Sequence, residues 1–210
     1  LPSANLRPET VDGYEGGLRG RFANGSSFQV SGFYNKYKDF IDTVTLASPP
    51  PPAFTQFQYQ NVSNVTIYGW EAKGEWRFVP TWSLFGSLAY AHGTNDDTKA
   101  PLNSVDPLKV VSGLRYRGTN GWNGEVRATW VAEKDQVTTG TFVVPAHTTV
   151  DTLFGYEVSP GMTINAGVFN VFNASYFNPT DVAGIAANSS LLELYRAPGR
   201  SAAMNVTFRW

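Results

Sequence analysis

The chain contains no cysteine, which removes disulfide frameworks, thiolate nucleophiles and cysteine metal sites from consideration. It also has no run of 18 apolar residues, so a transmembrane helix is excluded. Charge is sparse. Only 16% of residues are charged, with a formal net charge of -1, against about a quarter charged in ordinary soluble domains. No basic run is longer than a pair, so no concentrated positive face exists for nucleic acid. A helical stripe is missing too, because nowhere does an apolar period of three to four residues persist. The opening Leu1 to Leu6 has neither a charged n-region nor an apolar h-region. An export signal is therefore expected upstream of residue 1.

What the chain does have is aromatic residues, at 14%, and alternation. Tyr14, Leu18 and Phe22 share one face against Glu15, Arg19 and Arg21; Phe28, Val30 and Tyr34 oppose Gln29, Ser31 and Asn35. Tyr68, Trp70, Ala72, Trp76 and Phe78 alternate with Glu71, Lys73, Glu75 and Arg77. Period two continues through Trp82–Tyr90, Lys109–Arg117, Trp122–Trp130, Val150–Val158, Met162–Val168 and Met204–Trp210. About nine antiparallel strands result. Mean hydropathy is -0.23, as expected of a wall whose strands put only alternate residues into lipid.

The connections alternate in kind. Short turns fall at residues 23–27, 79–81, 118–121 and 159–161, where Gly, Pro and Asn supply the dihedrals. Long polar segments fall at roughly 46–56, 94–107, 136–147 and 174–198. Short turns at one end and long loops at the other are the layout of bacterial outer-membrane barrels. The short-turn end, with Trp210, is then periplasmic, and the long loops face outward.

A soluble β-sandwich also alternates, so alternation alone does not decide. Two features favour a membrane wall: all the short turns lie at one end, and some strands are long. Phe28 to Thr45 reads as one run of about 18 residues, where ordinary strands have ~5–6 and a crossing needs ~9–11. About nine strands cannot close an even-numbered barrel, and open edges are intolerable in lipid. Further strands must come from upstream or from another subunit. The charged rows of the polar face read as a cross-strand ladder rather than a binding groove.

Three stretches carry a family resemblance. Asn5-Leu6-Arg7-Pro8-Glu9-Thr10, followed by Tyr14-Glu15-Gly16-Gly17-Leu18, resembles the Asn-Leu-Lys-Pro-Glu…Tyr-Glu-x-Gly stretch of TonB-dependent outer-membrane receptors. Val168-Phe169-Asn170-Val171-Phe172-Asn173-Ala174-Ser175-Tyr176 resembles that family's penultimate-strand motif, and Gly199-Arg200 with the terminal Trp210 its last strand. The resemblance implies an all-β, antiparallel up-and-down transmembrane β-barrel in the bacterial outer membrane. Residues 1–210 would be the C-terminal part of a roughly 22-stranded barrel with a plugged lumen. It implies energy from the TonB complex through a plug domain upstream of residue 1. Partners would be outer-membrane lipid and lipopolysaccharide, with no intrinsic cofactor.

Segments 32–41 and 59–71 look most like haem and haemophore receptors, so haem is the expected transported ligand, delivered free or by a haemophore or haem protein. The haem-binding histidine of that subfamily would lie upstream. Ferric-siderophore receptors share much of the pattern, and a passive pore and a soluble sandwich stay open as further alternatives. Within the chain, the candidate ligand contacts are His147, expected to aim toward the lumen with Asp151, and Tyr176 and Phe177 of the last long loop. His92 shares parity with Tyr90 and Leu88, on the lipid face or rim. Asp96-Asp97 beside it lacks a serine or second histidine to complete a hydrolytic constellation. Neither a catalytic site nor a metal site is expected.

Overall fold

A computed structural model describes residues 6–47, 56–61 and 64–209; Trp210 and the run Pro49 to Pro52 lie outside the described residues. Nine strands form one antiparallel sheet in meander order: β1 (Thr10–Arg21), β2 (Ser27–Lys38), β5 (Val65–Val79), β6 (Trp82–Asn95), β7 (Lys109–Arg117), β8 (Trp122–Val131), β9 (His147–Ser159), β10 (Met162–Phe169) and β11 (Ser201–Phe208). Between β2 and β5, β3 (Ile41–Ala47) and β4 (Gln56–Asn61) make a separate two-stranded sheet. A single 3-10 turn, Leu192–Tyr195, is the only helical element among the described residues.

The expected run from Phe28 to Thr45 is thus corrected. The strand stops at Lys38 because Asp39 takes φ 56, a left-handed conformation that ends pleated pairing. The chain then re-enters extended structure as a hairpin outside the wall.

Registry explains the two faces. Leu18 pairs with Val30, Val30 with Ala72, Trp70 with Tyr90, Leu84 with Leu114, Leu114 with Val126, Val126 with Thr152, and Ile164 with both Tyr156 and Val206. Since each connection preserves parity, even-numbered residues of all nine strands share one face, and that face is the apolar one. Its large side chains stand exposed, Trp76 and Met204 at 60% and 72% among them. In water such a continuous apolar surface would aggregate; in lipid it is solvated.

Aromatic rings mark the band's edges. Near the short turns, Trp82 contacts Tyr116 at 4.9 Å and Trp122 stacks on Tyr156 at 4.4 Å. Near the loops, Trp70 meets Tyr90 at 6.3 Å and Tyr68 meets His92 at 5.4 Å. Trp and Tyr favour such half-wet interfaces. Trp122 and Trp130 lie at opposite ends of β8, a spacing that matches an apolar band ~25 Å tall.

Glycine closes three of the four short turns, with Gly25, Gly121 and Gly161 at φ 84, 87 and 91. At Gly161 a Cβ would also sit 2.5 Å from the Arg209 carbonyl oxygen. The opposite connections are long, and most of the buried hydrophobic residues among the described residues lie with them. Of the buried hydrophobic residues, Leu102, Val131, Val144 and Val182 lie in or beside the long loops. A one-sheet wall between lipid and lumen has no interior, so the interior forms where loops pack on loops.

Candidate functional site

Two polar assemblies occupy the non-lipid side. The first is the ladder on odd-numbered residues. Glu75 accepts hydrogen bonds from Ser83 (2.8 Å), Arg115 (2.9 Å) and Arg117 (2.7 Å). Arg115 also donates to Glu125 at 2.8 Å and lies 4.4 Å above the Phe85 ring. Arg127 continues the chain to Asp151 at 3.1 Å. Glu125 and Asp151 each sit beside a guanidinium on the adjacent strand, and Glu75 reaches across β6, past Ser83, to the two arginines of β7, which is how cross-strand registry turns alternating charge into a network. Arg115→Met is expected to destabilise the wall by about 1–2 kcal/mol, because Glu75 and Glu125 would lose their shared partner while keeping some water. Chemical unfolding of the purified protein with and without the substitution measures this.

The second assembly is the loop end. Lys134 is 2% exposed, and its Nζ donates to the carbonyls of Val105 (2.8 Å) and Asn103. Burial pushes its ammonium below the usual lysine range, and Asp106 pulls it partly back. The Asn103 amide donates to Thr138 Oγ1 and accepts from the Thr138 N–H, both at 2.9 Å. Backbone bonds from Phe142 to Ile185 (2.8 Å) and from Ala187 to Gly140 (2.9 Å) tie in the last loop. Thr180 donates to Asp106 at 3.2 Å. Segments 96–108, 132–146 and 170–200 therefore form one packed cap.

The cap brings two of the three expected contact residues together. His147, the first residue of β9, has the parity of Asp151 and pairs in register with Val131. Tyr176 stacks on its imidazole at 4.3 Å with 22° between planes. Delivery of Tyr176 depends on the motif ahead of it. Asn170, at φ 49 and 4% exposed, closes a ring with both the N–H and the carbonyl of Ala174 at 2.8 Å. Residues 170–176 are hence a structured turn, and β10 ends at Phe169. Phe177 points elsewhere, edge-on to Phe142 at 5.3 Å with the Arg196 guanidinium 5.0 Å from its ring.

Burial, reinforced by the Lys109 ammonium and opposed by the Pro145 carbonyl, lowers the pKa of His147. The shift favours the neutral imidazole, and Nδ1 is a buried atom. A cleft of about 220 Å³ opens beside it, edged by Asp106, Lys109, Asn178, Thr180 and Asp181. Small-molecule sites usually exceed ~300 Å³, so this cleft is too small to enclose such a ligand by itself. His92 packs against Tyr68 and bonds Thr94 at 3.1 Å on the lipid-side rim. Asp96 accepts from Thr66 at 3.1 Å. Asp97 follows it in the turn after β6, where its N–H is held by Asn95 Oδ1 at 3.0 Å. No group of three His, Asp or Glu that could hold a metal ion occurs among the described residues.

A lipid-facing apolar band, an interior charge ladder, short turns at one end and a packed loop cap at the other define an outer-membrane β-barrel wall. The chain belongs to the TonB-dependent receptor β-barrel family: the family model described as "TonB dependent receptor-like, beta-barrel" matches residues 1–171. Its place is accordingly the outer membrane, and its relatives are receptors and transporters rather than enzymes.

Among curated relatives, it is 26% identical over 210 residues to hemoglobin-haptoglobin utilization protein B of Neisseria meningitidis serogroup C, covering 82% of this chain and 26% of that protein. It is 28% identical over 200 residues to the hemin receptor of Yersinia pestis, covering 87% and 27%. The chain thus spans about a quarter of those relatives' length. Among solved structures, the copper transporter OprC superposes with a TM-score of 0.83 at 23% identity, covering 98% of this chain and 32% of that one. The ferric enterobactin receptor of Pseudomonas aeruginosa superposes at 0.72 and 20% identity, covering 97% and 31%. These likenesses show the shared fold.

Proposed function

We propose that this chain is the last nine wall strands of a TonB-dependent receptor that imports haem as an iron source. The rest of the barrel and the plug that engages TonB are carried by sequence outside these 210 residues. The observation that carries the reading is the run of relatives named for hemin or hemoglobin, matched across 80% or more of this chain. The free edges of β1 and β11 support the larger barrel, since unpaired strand edges cannot stand in lipid.

His147 and Tyr176 are the contacts this wall offers. A neutral imidazole stacked on a phenol presents a flat, partly apolar surface with nitrogen and oxygen donors at the rim, chemistry suited to a planar iron macrocycle. Phe177 contributes by holding the loop that carries Tyr176, through Phe142 and Arg196.

The test is a titration of the full-length receptor with haem, followed by the Soret band. A saturable shift that excess ferric siderophore does not compete away supports the reading. Competition by the siderophore, or no shift at all, overturns it in favour of a siderophore receptor. His147→Ala with Tyr176→Phe is expected to weaken haem about tenfold, or ~1.4 kcal/mol.

The pH sign follows from burial. A lowered imidazole pKa means the folded state binds the proton less readily than the unfolded chain. His147 stays neutral to a pH below the ordinary imidazole range of ~6.5. Its contribution to binding and stability is present at neutral pH and is lost as the pH falls through that lower value.

A further inference from the structure

The wall's hydrogen-bond ladder stops short of the loop end at β1 and β2: the last pairs are Thr10 with Lys38 and Tyr37 with Val65. Beyond them, the segment entering β1 is held by side chains. Asn61, the final residue of β4, accepts from the Arg7 N–H at 2.7 Å through Oδ1. Its Nδ2 donates to the Arg7 carbonyl at 3.0 Å and to the Asp39 carbonyl at 2.6 Å. One side-chain amide thereby satisfies three backbone groups on two segments, three of the four hydrogen bonds an Asn can make.

Charges reinforce the junction. The Arg7 guanidinium pairs with the Asp39 carboxylate, and Glu9 accepts from the Ile41 N–H at 3.0 Å. These bonds join residues 32 and 54 positions apart. Asp39, in its left-handed conformation, is also where β2 gives way to the hairpin. Four of these contacts join the descending segment Leu6–Glu9 to the base of the β3–β4 hairpin, and the fifth, from Asn61 to the Asp39 carbonyl, ties the two ends of that base together.

We propose that Asn61 is the hub of a latch that positions the external chain leading into β1 against the β3–β4 hairpin. The two move as one body. This assigns a role to Arg7 and Glu9, otherwise two exposed charges ahead of a strand. Arg7 lends its backbone and its cation, and Glu9 caps the hairpin's first N–H. Pro8 between them has no N–H to leave unpaired and fixes its own φ. The latch goes beyond haem import, since it concerns which external segments are coupled, whatever the ligand.

The experiment uses the full-length receptor in detergent with spin labels at Leu6→Cys and Tyr59→Cys; any cysteine elsewhere in the protein is replaced by serine. Both positions are exposed, at 41% and 60%. Pulsed dipolar spectroscopy reads the distance distribution between them without any ligand. A narrow distribution is expected, broadening at least twofold in Asn61→Ala and in Asn61→Asp, with the barrel's unfolding midpoint unchanged. Asn61→Asp is isosteric but loses both donors and sets a carboxylate against two carbonyls, so it must be no narrower than alanine. Asn61→Gln keeps the amide and is expected to restore part of the narrow distribution. Equal widths in the parent and both disruptive variants would overturn the latch, as would broadening seen only where the barrel itself has unfolded. Because haem takes no part, failure of the haem titration leaves this outcome unaffected.

Discussion

Val126→Arg is expected to destabilise the wall by about 2–4 kcal/mol, the cost of an arginine near the bilayer midplane on a barrel's lipid face. Val126 lies midway between the interfacial Trp122 and Trp130 on β8, and its strand neighbours Leu114 and Thr152 share its face. The residue is 48% exposed, so sterics do not decide the outcome; the solvent around it does. Thr129→Arg, three residues along and of opposite parity, faces the lumen beside Thr149. It is expected to change stability by about 0.5 kcal/mol or less, as for an ordinary surface substitution. Unfolding in detergent–lipid mixtures compares the two. Equal costs, or a larger cost at Thr129, would invert the sidedness on which the membrane assignment rests.

Lys134→Met is expected to loosen the loop cap by about 2–4 kcal/mol. Methionine fills most of the volume, so the loss is mainly polar: the carbonyls of Asn103 and Val105 would stay buried without their donor, at roughly 1–3 kcal/mol for each unsatisfied group. Removing the ammonium also leaves Asp106 without its nearby cation. The effect is local. Hydrogen exchange of amides in 96–108 and 132–146 should quicken by one to three powers of ten, since about 1.4 kcal/mol corresponds to a factor of ten. Protection in β7 and β8 should stay unchanged. If loop exchange is unaltered, Lys134 is not what joins these loops. Tyr176 should also lose its stacked position on His147, so weaker ligand binding is expected alongside.

Much of the wall was legible in the alternation. The faces assigned to Tyr14, Val30, Trp70, Leu114 and Val126 are the faces observed, because pleating is local and each short turn preserves parity. The arginine and glutamate rows read as a ladder and are one, from Glu75 through Arg115 and Glu125 to Asp151. The end of β2 was not legible. Lys36 to Thr45 keeps strand-like composition, and only the φ of Asp39, stabilised by the distant Asn61 and Arg7, breaks it.

The loops were opaque for the same reason. Val144 and Val182 carry no periodic signal, and Lys134 reads as a solvated charge until two loops close around it. His147 could be aimed toward the lumen by parity, but nothing near it in sequence indicates that Tyr176 covers its ring. That meeting depends on the Asn170 turn and on the packing of a third loop. Phe177, adjacent to Tyr176, packs edge-on to Phe142 of another loop, a contact that nothing in its own segment indicates.

By itself the sequence determined what each side of the ribbon dissolves in. It also determined which end carries the turns, because side-chain alternation and turn chemistry act within a few residues. Only the tertiary structure decided where the chain departs from the wall, which loops share a core, and which polar groups meet at the mouth. Those outcomes depend on contacts between residues dozens of positions apart, whose free energies exist only once the sheet has brought the loops to one end.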